Sequence, residues 1–213
     1  MQTCIEPSSG RWRPALRRLS LVVLVLSLAG AACSSEPPLT AAVYFPAVED
    51  ELMRLDQATR DLTDRYAIEL EAELEALVTA SDLNDPVVAD RVLGEIVSVA
   101  RAKMQTIIEA HTGQVAVFVA RVEELAPPDT VAGRHGELID AFTGWATSAG
   151  ATVAQLEQAI ALEDLAVALT DSPYADAQLR VDQACLALGD NAAAVAVVLT
   201  CPGTRIAAFD VAP

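Results

Sequence analysis

Apolar residues recur at intervals of three, four and seven along most of the chain, and this spacing predicts long amphipathic helices. The first helix is predicted from Pro46 to Ala80. Its apolar face comprises Leu52, Leu55, Leu62, Tyr66, Leu70, Leu74 and Leu77. The other positions are mostly aspartate, glutamate and arginine, which would keep the opposite face of the helix in water.

Proline-containing turns separate the helices that follow. Asp85 and Pro86 supply a capping side chain and a first helical residue, so the second helix is predicted to begin at Pro86. Its apolar stripe continues to the prolines at 127 and 128. Gly113 marks the point at which a kink or short break would occur, because a glycine inside a helix costs about 1 kcal/mol.

The remaining pattern predicts two more helices and a tail. A third long helix, loosely specified because it contains four glycines, is predicted between Asp129 and Ser172. Ser172 and Pro173 repeat the cap-and-proline arrangement and open a shorter fourth helix that is expected to end at Gly189–Asn191. The apolar run at 192–199 has no period, which leaves a helical turn and an extended strip as alternatives.

Short turns between long helices favour antiparallel neighbours. The predicted fold class is therefore all-α, an elongated antiparallel up-down bundle of three long helices plus a shorter fourth. In this prediction residues 46–213 form the bundle domain and residues 33–45 form a flexible tether ahead of it.

The first 32 residues have the pattern of an export signal. Four arginines precede an apolar stretch of 14 residues, Leu19–Ala32. A helix of that length spans about 21 Å, which is short of the roughly 30 Å hydrocarbon core of a bilayer. A cleaved signal peptide, residues 1–32, is therefore preferred over a transmembrane helix.

Small residues lead directly into Cys33, and a polar segment rich in serine and proline follows it. This arrangement resembles the lipobox of bacterial lipoproteins, although Gly30 stands where that motif commonly has leucine. The resemblance implies that Cys33 becomes the new N-terminus, carries a diacylglyceryl group and can carry an N-acyl group. It also implies a protein anchored to the cell membrane on its extracytoplasmic face, because two or more acyl chains give stable anchoring. Ordinary secretory cleavage, with Cys33 as a free thiol, is the alternative.

Two further cysteines, Cys185 and Cys201, remain in the mature chain. In an exported protein an isolated pair predicts a disulfide, which here would pin the C-terminal tail to the fourth helix. Zinc is the weaker alternative, because no other thiol or histidine lies near this pair in sequence.

Two segments look like those of helical lipoproteins from high-GC Gram-positive and related bacteria. They are residues 123–142 (EELAPPDTVAGRHGELIDAF) and the stretch from Ala184 to Cys201. Such proteins generally have no assigned activity, so this resemblance implies architecture and location only.

Charge limits the partners of the chain. The whole chain carries 14 basic and 30 acidic residues, and residues 33–213 carry 10 and 29, which gives them a net charge of −19. Such acidity disfavours binding to nucleic acid and to anionic lipid headgroups, so we expect the acyl chains to provide the membrane attachment.

Several residues are candidates for metal binding, ligand binding or turn formation. Because His111 and His135 are expected about 14 Å apart along the bundle axis, they should not share a metal, and structural roles are favoured. The carboxylates Asp64, Glu69 and Glu73 could form a cation site but are more typical of a solvated face. Asp82 and Asn84 are interpreted, like Asp85, as turn and cap residues. Phe118, Phe142 and Trp145 could line an apolar slot, although core packing is the preferred interpretation.

The sequence contains no catalytic motif, and no catalytic, metal or cofactor site is predicted. The leading hypothesis is a membrane-anchored, non-catalytic binding or structural module that recognises an exported or envelope protein or a small ligand. The alternative is an exported protein that scavenges metals or small ligands through its histidines and acidic faces.

Overall fold

The computed structural model describes residues 37–201, and all regular structure in that range is helical. There are four helices of 20 to 39 residues and one of nine residues. The helices are α1 (Ala41–Thr79), α2 (Pro86–Glu123), α3 (Ala132–Glu157), α4 (Leu162–Thr170) and α5 (Pro173–Ala192), followed by a 3₁₀ turn (Ala193–Val195). The predicted all-α class is confirmed for this part of the chain.

Helix α1 begins earlier than its apolar spacing suggested. It starts at Ala41 and contains Pro46, so the prediction that the tether continues to residue 45 was wrong. Tyr44 and Phe45 are fully buried in this first part of the helix. Burial of two aromatic side chains, worth about 1.5–3 kcal/mol or more each, offsets the single backbone hydrogen bond that Pro46 cannot donate.

Helices α1 and α2 pack side by side, joined by the turn at residues 80–85. Asp85 caps α2 as predicted, since its carboxylate accepts a hydrogen bond from the Val87 amide at 2.9 Å. Arg121 pairs with Glu51 near one end of the two helices, and Lys103 pairs with Glu69 nearer the other. The residue order is therefore reversed between the two helices.

Helix α2 continues through Gly113 without a break, but the predicted third helix is interrupted. Helix α3 ends at Glu157 and α4 begins at Leu162, so the prediction of a continuous helix up to Ser172 was wrong. The carboxylate of Asp164 accepts hydrogen bonds from the amides of Ile160 and Ala161, both at 3.0 Å. These bonds stabilise a new helix start where no glycine or proline signals one.

Helix α5 begins as predicted and ends later. The Ser172 hydroxyl accepts a hydrogen bond from the Ala175 amide at 3.2 Å, which is the expected cap. The helix then passes Gly189 and ends at Ala192, so its predicted end at Gly189–Asn191 was wrong. After the 3₁₀ turn, Ala196 adopts a left-handed conformation with φ of 58°. That conformation turns the chain into a non-helical strip.

The C-terminal strip lies against the first part of α1. The Thr200 amide donates a hydrogen bond to the Glu49 carboxylate at 2.6 Å. Leu199 lies beside Gly189 of α5, where an added Cβ atom would be 3.9 Å from the Leu199 Cβ. Cys201 forms the predicted disulfide with Cys185, with 5.8 Å between their Cα atoms. The strip is therefore held at both α1 and α5.

One apolar cluster forms the core. Its largest members come from four helices and include Tyr44, Phe45, Leu52, Ile108, Phe142, Trp145 and Leu188. We call the part of the molecule that contains this cluster the bundle body. Residues 66–95, which include the end of α1, the connecting turn and the start of α2, we call the distal hairpin. Leu70 and Val92 are buried in this hairpin but lie outside the main cluster.

None of the helices within residues 37–201 combines the length and apolar character needed to cross a membrane.

Candidate functional site

Cys33, the predicted lipidation site, lies outside the described residues, as do the signal peptide and the first residues of the tether. Its modification therefore stays a prediction from the sequence. The other two predicted cysteine positions are described, and the structure brings Cys185 and Cys201 together as a disulfide. Cys185 is fully buried, so this bond joins the tail directly to the core.

The most polar part of the core is centred on His111 of α2. Its Nδ1 atom lies 2.7 Å from the hydroxyl of Tyr174 on α5, and its Nε2 atom lies 3.0 Å from the hydroxyl of Thr59 on α1. The imidazole also meets the Trp145 ring edge-on, with 4.6 Å between ring centroids. Side chains from α1, α2, α3 and α5 thus meet at one histidine.

His135 forms a second and simpler pair. It lies near the start of α3, and its Nδ1 atom is 2.9 Å from the Tyr44 hydroxyl at the start of α1. The two rings also pack edge-on, with centroids 5.8 Å apart. Each histidine thus forms a hydrogen bond with a different tyrosine.

Burial keeps both histidines neutral. It lowers the pKa of His111 to about 4, because a charged imidazole would lose its hydration inside the core. Burial also lowers the pKa of His135, and the nearby Glu123 carboxylate opposes that shift. The pKa values of Tyr44 and Tyr174 are raised by burial in the same way. All four groups are therefore uncharged near neutral pH.

The hydrogen bonds in both histidine clusters have a structural role. A neutral imidazole has one donor and one acceptor, and the hydroxyls of Tyr174 and Thr59 satisfy both nitrogens of His111. His111 and Tyr174 are each only 3% exposed, so neither presents a reactive atom to solvent. The indole nitrogen of Trp145 and the hydroxyl of Thr152 are buried nearby on α3 without hydrogen-bond partners.

The candidate carboxylates are occupied in other ways. Glu69 and Glu73 both bind the Lys103 ammonium, at 2.9 and 2.8 Å, and Asp64 is exposed to solvent. Asp82 accepts a hydrogen bond from the Asn84 amide at 3.2 Å, as expected of a turn residue. Among residues 37–201 no three side chains of the histidine, cysteine, aspartate or glutamate type are grouped so that they could hold a metal ion.

The aromatic residues Phe118, Phe142 and Trp145 fill the core, so packing rather than a ligand slot is their role. All three are at least 97% buried, and the rings of Phe118 and Phe142 are 4.4 Å apart between centroids. Open space is found instead on the surface, in shallow grooves. One, of about 560 Å³, lies between α3 and α5 and has a charged lining that includes Arg134, Glu137 and Arg180.

A second groove, of about 370 Å³, lies between α2 and the turn that joins α3 to α4. Its lining is mainly apolar and also includes two carboxylates. We call the apolar residues Leu93, Gly94, Val97, Ile160, Ala161 and Leu162 the floor, and Asp90 and Glu163 the rim. Ile160 is 86% exposed and Leu93 is 53% exposed, so the structure leaves these aliphatic side chains in water.

Sequence reasoning missed the tyrosine and threonine partners of the histidines. A signal was present for Tyr44, because aromatic residues make up only 4% of the chain and two of them stand together immediately before Pro46. Such scarce aromatic side chains are expected in the core and not in a solvent-exposed tether, because their burial contributes strongly to stability. Thr59 gave no signal of this kind, because a single threonine among the polar residues of a helix does not stand out in the sequence.

Comparison with known protein families, with curated proteins and with solved structures finds no match to this chain. The resemblance to bacterial lipoproteins therefore rests on the residues of the sequence alone.

Proposed function

We propose that this protein is a bacterial lipoprotein, anchored to the cell membrane through acylated Cys33, whose helical domain is a non-catalytic binding or structural module on the extracytoplasmic face. The observation that carries this proposal is the order of a basic segment, a 14-residue apolar stretch, small residues and Cys33. The disulfide between Cys185 and Cys201 supports it, because such bonds persist in exported proteins.

The domain is proposed to be an elongated up-down bundle. Three sets of contacts support this arrangement. Glu51 pairs with Arg121 and Glu69 with Lys103 across α1 and α2. Phe118 packs on Phe142, and Arg101 donates a hydrogen bond to the Ala159 carbonyl, across α2 and the end of α3. Trp145 packs on Tyr174 across α3 and α5.

The hydrogen bonds of the two histidines favour a non-catalytic module over a metal-scavenging protein. A histidine that binds a transition metal must offer a free nitrogen lone pair. His111 has a hydroxyl partner at each nitrogen, and His135 pairs with Tyr44. Metal binding at His111 would require the loss of core hydrogen bonds, and within residues 37–201 His135 belongs to no group of side chains that could hold a metal ion. The scavenging alternative is therefore the weaker one.

The acidic surface limits the kinds of molecule that the protein would bind. With a net charge of −19 over residues 33–213, the mature chain would repel nucleic acid and anionic membranes. An exported or envelope protein with a basic surface is the partner that this charge favours.

The test of the anchor is the intact mass of the protein extracted in detergent from its native host, measured beside a Cys33→Ala variant. The expected mass is that of residues 33–213 plus a diacylglyceryl group, with or without an N-acyl chain, and the variant should lose this product. An unmodified chain that is released into the medium would overturn the proposed anchoring.

A further inference from the structure

The groove between α2 and the α3–α4 turn combines apolar and charged groups in a pattern that suits a peptide. Its floor contains Leu93, Val97 and Leu162, while its two charged lining residues, Asp90 and Glu163, are both acidic. An aliphatic floor beside carboxylates is complementary to a helix with leucine-like side chains on one face and lysine or arginine at the edge of that face.

The surroundings extend the same charge. The distal hairpin contains eight carboxylates and only one basic residue, Arg91. Just beyond the hairpin, Arg101 donates a hydrogen bond to the Ala159 carbonyl beside the groove, and Lys103 pairs with Glu69 and Glu73. Residues 66–103 together carry eight carboxylates and three basic residues, so the carboxylates are in excess. The field around the groove would therefore attract a basic segment and speed its association.

We propose that this groove is a docking site for a basic amphipathic helix of another exported protein. This inference rests on the proposed function as a binding module and specifies the site and the chemistry of its partner. Apolar side chains spaced at i, i+3 or i+4 and i+7 of the partner would cover Leu93, Ile160 and Leu162. Its lysines or arginines would pair with Asp90 and Glu163.

Other occupants fit less well. A second copy of the chain would bring two acidic rims together, which opposes association. The C-terminal segment 202–213 of the same chain is another candidate occupant. It follows Cys201, which lies close to the level of Glu49 and the Glu51–Arg121 pair. From Arg121 to Gly94 the distance along α2 is about 40 Å, which twelve residues reach only when almost fully extended.

Gly94 allows a test that blocks the groove without disturbing the core. It is exposed on α2, and a Cβ atom at this position would meet nothing within 4 Å. Gly94→Leu would therefore place a side chain in the groove and also raise helix propensity. Gly113→Leu is the matched control, because Gly113 is an exposed residue of the same helix with the same open space and lies outside the groove.

The experiment measures binding of a fluorescently labelled, 18-residue helical peptide with leucines on one face and lysines on the other, by anisotropy. The full-length protein is used in nonionic detergent micelles at physiological salt. Binding is expected for the wild type, with affinity reduced at least about tenfold by Gly94→Leu and nearly unchanged by Gly113→Leu. A peptide with glutamates in place of the lysines should not bind.

Charge is tested separately with two double variants. Asp90→Asn with Glu163→Gln removes the rim carboxylates, whereas Glu109→Gln with Asp129→Asn removes two exposed carboxylates elsewhere. The first pair should weaken binding more than the second, although both change the net charge equally.

Three results would overturn the groove proposal. They are no binding of the lysine peptide, equal binding by the two leucine variants, and a wild-type dimer in sedimentation that Gly94→Leu dissociates. The first two leave no role for the groove, and the third assigns it to a second copy. None of them affects the mass of Cys33-acylated protein, so failure of the docking site can be distinguished from failure of the proposed anchor.

Discussion

The bundle body and the distal hairpin share the helices α1 and α2 but are held together differently. In the body, residues from four helices surround an aromatic cluster with hydrogen bonds at His111 and His135 and a disulfide at its edge. In the distal hairpin, two helices meet along a narrow seam in which Leu70 and Val92 are buried. Lys103 joins its two helices at the base through Glu69 and Glu73.

This difference suggests a gradient of stability along the molecule. The number of neighbours that cover a helix decides how much apolar area it buries, and few buried contacts allow local opening. We therefore expect the body to set the global stability and the distal hairpin to open more readily. The proposed docking groove lies where the two regions meet, since Arg101 contacts Ala159 just beyond it.

The largest expected effect is that of Trp145→Ala. Trp145 is 1% exposed and packs against His111, Phe142 and Tyr174, so its removal should lower the free energy of unfolding by about 3–5 kcal/mol. Leu70→Ala should cost only about 2 kcal/mol, because a two-helix seam can close around the gap. Urea unfolding of both variants measures the difference. Equal costs would remove the distinction between the two regions.

Acid should destabilise the body through His111. The imidazole is ordinarily protonated below pH 6.5, and burial lowers its pKa to about 4 in the folded protein. The unfolded chain therefore binds the proton first, and stability should fall as the pH drops from 6.5 to 4, by about 3 kcal/mol from this group. Denaturant midpoints measured across that range test the slope.

His111→Gln is the control for this acid effect. The variant should be less stable at neutral pH, because it loses core hydrogen bonds, but its stability should depend less on pH between 6.5 and 4. A wild-type slope that persists in the variant would assign the acid sensitivity to other groups.

The disulfide should contribute less than Trp145 and about as much as the acid effect. It joins residues separated by 16 positions, and a loop of that size contributes roughly 3 kcal/mol by restricting the unfolded chain. Cys185→Ser with Cys201→Ser should lower the midpoint of urea unfolding accordingly. Hydrogen exchange should then rise in residues 193–200 and stay unchanged in the distal hairpin, and a rise in both regions would show that they are coupled.

The smallest effect is expected from Lys103→Gln. Hydrogen bonds with Glu73 and Glu69 raise the pKa of Lys103, so this residue is charged when it joins the two helices. Its loss should lower the melting temperature slightly at low salt and less at high salt, because salt already screens exposed charges. Arg60→Gln, which removes a pair within α1 only, is the matched control. Equal effects of the two variants would argue against a specific role for Lys103.

Local signals in the sequence predicted much of the fold. The caps at Asp85 and Ser172 and the buried face containing Leu52, Leu55 and Leu62 were predicted correctly, because each depends on neighbouring residues of one helix. Leu74 and Leu77 continue the same face but are only half-buried. Periodicity indicates which side of a helix is apolar, but it does not show how many helices will cover that side.

The remaining features depended on distant residues. The early start of α1 follows from the burial of Tyr44 and Phe45 by later helices, which a spacing pattern does not contain. The histidine clusters join positions 52 to 91 residues apart, so only the assembled bundle defines them. The groove likewise requires α2 and the α3–α4 turn to be adjacent.

The hydrogen bond between Thr200 and Glu49 also indicates how the chain could be circularly permuted. Thr200 lies beside Glu49 of α1, and Leu39, just before the start of that helix, is about ten residues earlier in the chain. The two ends of the described chain are therefore roughly 15 Å apart along α1. A short linker from residue 201 to residue 37 would join them, and new termini could open in the turn at 80–85. In such a circular permutant the end of α1 and the start of α2 would no longer be connected, so the seam at Leu70 and Val92 and the ion pairs of Lys103 would have to hold them together.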